Sequence, residues 1–234
     1  MRLESVSFSH IESGEPVLSE VNLDVAPGQR VVVVGACGSG KTTLRRLAAG
    51  LSPPQIGRVL YDGQPLQDIP RPILASSIGW VSQEVALFSG SIRENITLFD
   101  DTISHEAVIA AARDAQIHDV IGRLPGGYDS MLLEGGANLS GGEAQRMEIA
   151  RALAGDPNFL ILDEATSALD PLVEEAIEQN LRRRGCGALV IAHRLSTIRA
   201  ADEIVVLDKG RIVERGTHDE LIERRGRYFA LVNE

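Results

Sequence analysis

The sequence predicts an α/β fold with a mostly parallel β-sheet at its centre. Four short apolar runs have the composition of buried strands, and they lie at residues 31–34, 159–162, 188–192 and 204–207. Strands of a parallel sheet are continuously hydrophobic because helices cover both of their faces. Helical patterns separate these runs, and alternating strands and helices are typical of the α/β class.

Shorter strand-like segments in the N-terminal third predict a second kind of sheet. They lie at residues 3–8, 21–25 and 58–61 and are separated by glycine, proline and aspartate. Segments of this length with such turn residues between them favour antiparallel pairing. We therefore expect an antiparallel β-subdomain at one edge of the fold.

The middle of the chain, at about residues 84–154, is predicted to be mostly helical. One helix is expected to begin after Ser104, an N-cap candidate ahead of apolar residues at helical spacing. Another is expected to begin near Gly142. We interpret residues 1–234 as one domain, into whose core this helical subdomain is inserted.

The composition argues against some classes of function. A formal net charge of −10 disfavours a nucleic-acid-binding surface, which is normally basic. Cys37 and Cys186 lie far apart in the sequence, and Cys37 lies inside a glycine-rich loop where a disulfide would obstruct a ligand, which favours a reduced, cytosolic setting. The chain has no apolar stretch near the roughly 20 residues that span a bilayer, and its start lacks the apolar segment of a signal peptide. We therefore expect any membrane role to come through a partner or another part of the polypeptide.

A glycine-rich loop follows the first buried strand and opens a predicted helix at about residues 40–49. Its sequence fits the phosphate-loop pattern G-x-x-x-x-G-K-[ST], and the residues expected to bind nucleotide are Gly35, Cys37, Gly38, Ser39, Gly40, Lys41, Thr42 and Thr43. Glycines let backbone N–H groups converge on phosphate oxygens, and the helix N-terminus adds a favourable field. We expect the catalytic Lys41 to reach the β- and γ-phosphates and the Thr42 hydroxyl to ligate Mg²⁺. The alternative is a strand–helix turn that binds nothing.

Two carboxylates, Asp163 and Glu164, end the buried run at residues 159–162. A side chain at the carboxyl end of a parallel strand faces the crevice where ligands bind. We expect Asp163 to hold Mg²⁺ and Glu164 to act as the general base that polarises the attacking water. The alternative is an acidic pair that only stabilises the start of the next helix.

A serine and two glycines, Ser140, Gly141 and Gly142, precede a helical pattern that continues to Leu153. Such a helix start is a second potential anion site, or otherwise an ordinary N-cap. His193 follows the strand at residues 188–192, where it can contact the γ-phosphate and the attacking water. A lone histidine is more often structural, but this position after the carboxylate-bearing strand favours a catalytic role.

The order of these three motifs resembles that of the ATP-binding cassette (ABC) ATPases, and the resemblance covers the whole chain. It implies a P-loop NTPase core, the ligands ATP and Mg²⁺, and a homodimer that forms on ATP binding. In that head-to-tail dimer the signature motif, which consists of Ser140, Gly141, Gly142 and Glu143, would act on the nucleotide of the other subunit. The resemblance also assigns Gln83 to the Q-loop as a metal-sensing residue and Asp170 to the D-loop.

Three positions depart from the usual pattern of that family. His10 stands where a tyrosine usually stacks on adenine, with Val17 as a further apolar contact to the base. Glu143 replaces the common signature glutamine. Before the signature, Glu134-Gly135-Gly136 lacks the arginine of the usual Glu-Arg-Gly.

The segment at residues 87–96 looks like that of exporters, and the segments at 68–71 and 117–121 are similar to exporters of natural-product-leader, bacteriocin-like peptides. The resemblance thus implies an ATPase that powers peptide export. Its partner would be a transmembrane permease domain, fused or separate, and its location the cytoplasmic face of the plasma membrane. One alternative is a soluble ABC ATPase in repair or translation, although this chain has neither a long coiled-coil insertion nor a second cassette. The other is a P-loop kinase, which would lack the signature.

Overall fold

The computed structural model describes residues 1–11 and 14–233. Within them the strands are β1 (Arg2–Phe8), β2 (Leu18–Asp24), β3 (Arg30–Val34), β4 (Ile56–Tyr61), β5 (Gln64–Pro65), β6 (Ile78–Val81), β7 (Gly90–Ser91), β8 (Met131–Leu132), β9 (Phe159–Asp163), β10 (Gly187–Ile191), β11 (Glu203–Asp208) and β12 (Arg211–Gly216). The α-helices are α1 (Lys41–Ala48), α2 (Arg71–Ser77), α3 (Ile92–Thr97), α4 (His105–Asp114), α5 (His118–Gly122), α6 (Gly141–Ala154), α7 (Pro171–Arg184), α8 (Leu195–Arg199), α9 (His218–Arg224) and α10 (Arg227–Asn233).

The fold is of the predicted α/β class, and it divides into two compact units. The first unit comprises Met1–Leu74 and Gly187–Glu234, and the second comprises Ala75–Cys186. The second unit contains the predicted helical segment and, in addition, β6, β9 and α7. In the part of the chain that the structure describes, no helix is both long enough and apolar enough to cross a membrane.

The main sheet of the first unit has the strand order β12-β11-β3-β10. Strands β11 and β10 both run parallel to β3, which is buried along its whole length, so the prediction of parallel apolar strands is confirmed here. Strand β12 pairs antiparallel with β11 at the edge of the sheet. Strand β12 was not predicted, because its side chains alternate in exposure and include several charges, so that it has no apolar run.

The predicted antiparallel β-subdomain forms a sheet of its own in the first unit, with the order β2-β1-β4-β5. Strand β1 pairs antiparallel with both β2 and β4. Leu3 and Val6 on β1 are fully buried, as are Leu18 and Val21 on β2. These buried residues are three positions apart in each strand because the β1–β2 pairing shifts register between them. They give the subdomain one apolar face.

The second unit combines a parallel strand pair with a group of helices. Strands β6 and β9 are parallel, with Val81 opposite Leu162. Helices α3 to α6 lie in the segment predicted to be helical, which also contains the two-residue antiparallel pair β7–β8. The Ser104 side chain caps α4 by accepting from the Ala107 N–H at 3.2 Å, which confirms the predicted N-cap.

Strand β6 was not predicted, and Gly79 explains both its weak signal and its position. A Cβ on Gly79 would lie 2.6 Å from the Ala152 carbonyl oxygen on α6 and 2.7 Å from a Leu160 methyl group on β9. Only glycine allows the strand to approach the helix this closely. The same glycine interrupts the apolar run by which a buried strand is recognised.

Candidate nucleotide site

The phosphate loop connects β3 to α1 in the first unit, as the sequence predicts. Gly38 and Gly40 have φ angles of 77° and 108°, in the left-handed region that favours glycine. The Lys41 Nζ donates to the Gly35 carbonyl at 2.5 Å and to the Ala36 carbonyl at 3.1 Å. The Lys41 ammonium group therefore lies against the backbone of the loop.

The surroundings of the loop leave little room for side chains at two of its glycines. A Cβ on Gly40 would lie 2.7 Å from a Leu18 methyl group and 3.0 Å from the Val17 carbonyl, and a Cβ on Gly35 would collide with the Leu207 carbonyl. Among the described residues, the buried Ser39 hydroxyl has no hydrogen-bond partner. A buried donor without a partner is costly in a native protein, so it fits a ligand oxygen at this position.

Beside the loop, His10, which is predicted to contact the base, lines a small cavity of about 90 Å³. Its walls come from Phe8, His10, Thr43, Arg46 and Ser52. The exposed His10 ring meets Phe8 edge to face, with ring centroids 5.3 Å apart and an interplanar angle of 86°.

Val17 lies between this cavity wall and the loop. Its N–H donates to the Phe8 carbonyl at 2.8 Å, and its own carbonyl borders Gly40. The first unit thus brings together the predicted adenine contacts His10 and Val17 with the phosphate loop.

His193 reaches the same sheet edge as the phosphate loop through strand register. Ile191 on β10 lies opposite Val33 on β3, so the residues that follow both strands leave the sheet side by side. His193 and Gly35 each come two positions after this pair. The exposed His193 is therefore in the neighbourhood that its predicted role requires.

The second unit brings Gln83 and Glu164 together by an equivalent register. Both come two positions after the Val81–Leu162 pair, and the Gln83 amide nitrogen donates to the Glu164 carboxylate at 3.3 Å. Asp163, the last residue of β9, is only 5% exposed. Glu164 adopts a left-handed backbone conformation with a φ angle of 51°.

The signature residues form a capping box at the start of α6. The Ser140 N–H and hydroxyl donate to the Glu143 carboxylate at 2.8 and 2.7 Å. The hydrogen bond from the Ser140 backbone N–H lowers the pKa of Glu143. The charge that distinguishes Glu143 from the usual glutamine is thus bound to the N-terminus of its own helix.

The two signature glycines differ in the space around them, and the D-loop residue Asp170 caps a different helix. Gly141 has open space where a Cβ would be, whereas a Cβ on Gly142 would lie 3.2 Å from the Ala168 carbonyl. Asp170 caps α7, since its Oδ1 accepts from the Leu172 and Val173 N–H groups, both at 3.1 Å. The structure therefore shows a helix-capping contact for the predicted D-loop residue.

Polar residues on the buried face of α6 were missed by sequence reasoning. Gln145 is 2% exposed and contacts the turn that follows β9. Glu148, 4% exposed, lies 2.8 Å from the Ser82 hydroxyl, and burial raises its pKa. The available signal was a pair of polar side chains at i, i+3 spacing among apolar helix positions, which predicts specific partners in the core.

The residues predicted to hold Mg²⁺ have suitable chemistry. Thr42, Gln83 and Asp163 offer a hydroxyl, an amide oxygen and a carboxylate, and oxygen ligands are what this hard cation prefers. Thr42 belongs to the first unit, whereas Gln83 and Asp163 belong to the second.

Comparison with known proteins identifies the class of this site. A family model described as ABC transporter matches residues 18–167, which is more than half of the chain. The chain belongs to the ABC transporter family. It is an ATP-binding domain of that family, which hydrolyses ATP in the presence of Mg²⁺.

Several relatives resemble this ABC domain along nearly all of its length. The ATP-dependent lipid A-core flippase of Chromobacterium violaceum is 45% identical over 235 residues, covering 99% of this chain and 40% of that protein. The mycobactin import ATP-binding/permease protein IrtA of Mycolicibacterium thermoresistibile is 47% identical over 233 residues, covering 99% of this chain and 25% of that protein.

A solved structure, a bacterial Atm1-family ABC exporter with ATP bound, matches with a TM-score of 0.92 and 40% identity. The match covers 99% of this chain and 41% of that one. The chain therefore spans about 40% of the length of the flippase and exporter chains that it matches.

Proposed function

We propose that this domain hydrolyses ATP to drive export of a substrate through a transmembrane permease domain, with Glu164 as the general base. The observation that carries the catalytic assignment is the position of Glu164. It directly follows the buried Asp163 at the carboxyl end of β9 and lies 3.3 Å from the Gln83 amide. A carboxylate fixed at this end of a parallel strand is suited to orient a water molecule toward a phosphate.

The other residues of the site bind and orient the nucleotide. Lys41 exchanges its contacts with the loop carbonyls for phosphate oxygens, and the Ser39 hydroxyl gains a partner. Thr42, Gln83 and Asp163 would hold Mg²⁺, which when bound neutralises part of the phosphate charge. Glu164 accepts the proton of the attacking water, and His193 orients that water and the γ-phosphate. The His10 ring and Val17 contact the adenine.

We further propose that two copies close head to tail on ATP binding, so that the signature of one copy covers the nucleotide of the other. Support comes from the start of α6, where Ser140 and Gly141 are exposed at a helix N-terminus, which favours an anion. One nucleotide does not require two phosphate-binding helix starts in the same chain. A two-fold dimer uses both of them in two equivalent sites.

A permease partner is supported by the relatives and by the surface of the second unit. The relatives' additional length, and the words "ATP-binding/permease protein" in one name, fit a fused transmembrane domain. On the second unit, Leu98, Phe99, Met131 and Leu133 are all more than half exposed. Apolar side chains exposed together favour a protein partner. That partner would hold the domain at the cytoplasmic face of the plasma membrane.

The cargo has two candidates. The segments at residues 68–71 and 117–121 favour a bacteriocin-like peptide. The relatives named as lipid A-core flippases favour an amphiphilic lipid instead. The chain together with its permease domain, fused or separate, reconstituted in lipid nanodiscs, distinguishes them. Leader-peptide substrates stimulate ATP hydrolysis in the first case, and lipid A-core lipids do so in the second.

The test of the catalytic assignment is Glu164→Gln. Because the amide cannot accept the proton of water, turnover should fall by more than about 10² while MgATP binding is kept. The control is Glu175→Gln, the same change at an exposed position on α7, which should leave turnover unchanged. Near-normal hydrolysis by the Glu164 variant would reject Glu164 as the base.

A further inference from the structure

We propose that Gln145 is a positioning residue for Glu164. Its buried amide on the signature helix α6 fixes the backbone turn after β9, and through that turn the direction of the Glu164 carboxylate. This inference rests on the proposed role of Glu164 and adds a residue outside the motifs from which the site was predicted.

Both ends of the Gln145 amide are used within this turn. The Nε2 atom donates to the Glu164 carbonyl at 3.2 Å and to the Ser167 hydroxyl at 3.3 Å. The Oε1 atom accepts from the Ala168 N–H at 2.9 Å. Since Gln145 is only 2% exposed, water does not compete for these partners. One side chain thus spans the turn from its first residue to its fifth.

The turn needs such support because of the conformation of Glu164. Its φ angle of 51° lies in the left-handed region, which is unfavourable for a residue with a Cβ. In this conformation its carbonyl accepts from Gln145 and also from the Ser167 N–H at 3.1 Å. Without the Gln145 donor, a rotation of this peptide toward extended backbone becomes easier. That rotation would move the carboxylate away from Gln83.

Helix α6 also approaches the turn closely at Gly142, about one helical turn before Gln145. Gly142 lies three positions before Gln145 on the same face of α6, and a Cβ there would be 3.2 Å from the Ala168 carbonyl. The helix and the turn are therefore in close contact at Gly142. This contact places the backbone of α6 at the distance that a glutamine side chain can bridge.

The first test is Gln145→Leu, which keeps much of the volume and removes both hydrogen-bonding ends. We expect kcat for ATP hydrolysis to fall at least about tenfold, since misplacing a catalytic group by about 1 Å can cost on the order of 10² in rate. We expect the Kd for MgATP, measured by nucleotide titration, to change less than about twofold, because the phosphate loop is untouched. The matched control is Gln179→Leu on α7, an exposed glutamine that donates to Glu175 at 3.3 Å.

A second variant keeps the proposal testable if Gln145→Leu does not fold. Gln145→Glu has nearly the same shape and retains an acceptor for the Ala168 N–H, but at neutral pH it cannot donate to the Glu164 carbonyl. We expect this variant to show a cooperative thermal unfolding transition, which demonstrates that it is folded, and to hydrolyse ATP slowly. Wild-type kcat in either folded variant would overturn the proposal.

A double-mutant cycle separates positioning from a general structural effect. If Gln145 acts through the Glu164 carboxylate, Gln145→Leu should cost little further rate in a Glu164→Gln background. Fully additive losses would overturn the proposal. Near-normal ATP hydrolysis by Glu164→Gln alone would instead reject Glu164 as the base. Slow hydrolysis by Glu164→Gln together with near-normal hydrolysis by Gln145→Leu would reject only the role of Gln145.

Discussion

At the scale of single residues, the two cysteines differ in how far their side chains are exposed to solvent. Cys37 is exposed in the phosphate loop, whereas Cys186 is 7% exposed and its thiol lies 3.0 Å from the Pro157 carbonyl. Only the thiolate reacts readily with alkylating reagents, and reaction requires access. Cys37 is therefore a chemical probe of the loop, and Cys186 is an internal control in the same chain.

We predict that bound MgATP protects Cys37 from alkylation. A nucleotide in the loop covers its variable positions, while the accessibility of Cys186 is set by the packing around it. Mass spectrometry after a short pulse of a maleimide, with and without MgATP, measures modification of both cysteines. Equal modification of Cys37 in both samples would contradict the placement of the phosphates.

The edge-to-face contact with Phe8 leads to a prediction for His10. If the His10 ring stacks on adenine, His10→Ala should weaken ATP binding several-fold, since such stacking contributes on the order of 1 kcal/mol. His10→Tyr should bind at least as tightly as the natural chain, because it offers a larger ring face. Titration with a fluorescent ATP analogue compares the three proteins. Identical affinities would mean that His10 does not contact the base.

At the scale of secondary-structure elements, helix starts are stabilised in a repeated way. Capping boxes begin α3, α6 and α9, where a glutamate at the third helical position accepts from Ser91, Ser140 and Thr217 respectively. Each box satisfies N–H groups that the first turn of a helix leaves without partners. In α6 the box also holds the carboxylate of Glu143, the unusual signature residue, against Ser140.

We predict a pH-dependent contribution of Glu143 to folding stability. Hydrogen bonds from Ser140 lower the pKa of Glu143 in the folded chain below its unfolded value. Its stabilising contribution is therefore fully present above the unfolded pKa and is lost as the pH falls through the folded pKa. Glu143→Gln should lower the urea midpoint at pH 7, and this difference should shrink as the pH falls from the unfolded pKa through the lower folded pKa. A difference that persists at low pH would show that the charge is not the cause.

At the scale of the whole molecule, the candidate residues are distributed between the two units. The phosphate loop, His10 and His193 belong to the first unit, and Gln83, Glu164 and the signature belong to the second. If the signature acts on the nucleotide of another copy, an isolated chain lacks part of its catalytic site. The specific activity should then depend on protein concentration.

We predict complementation between two inactive chains. Lys41→Ala removes the phosphate lysine and Ser140→Arg obstructs the signature, so each homodimer is inactive. A mixed dimer contains one site in which both halves are intact, and mixing should restore part of the activity. The control is a mixture of Lys41→Ala chains with Glu164→Gln chains. Both residues act on the nucleotide of their own copy, so every site in the mixed dimer has one defect and mixing should give no rescue. Turnover that is independent of concentration, without rescue on mixing, would favour a self-contained enzyme.

The sequence by itself determined the features that depend on neighbouring residues. Strand β3, the phosphate loop and α1 follow one another within about 20 positions, and their pattern of apolar residues, glycines, lysine and threonine is legible without any partner. The same holds for the carboxylates at the end of β9 and for the Ser104 cap. Edge strand β12 escaped prediction because exposure removes the apolar run that marks a buried strand.

Only the tertiary structure decided which distant residues meet. Gln83 and Glu164 are 81 positions apart, and they meet because parallel register aligns the ends of β6 and β9. The pairing of Ile191 with Val33 does the same for His193 and the phosphate loop. Gln145 is an ordinary polar helix residue until packing places its amide on the turn after β9. Strand pairing and side-chain packing act through space, so these contacts have no local signal in the sequence.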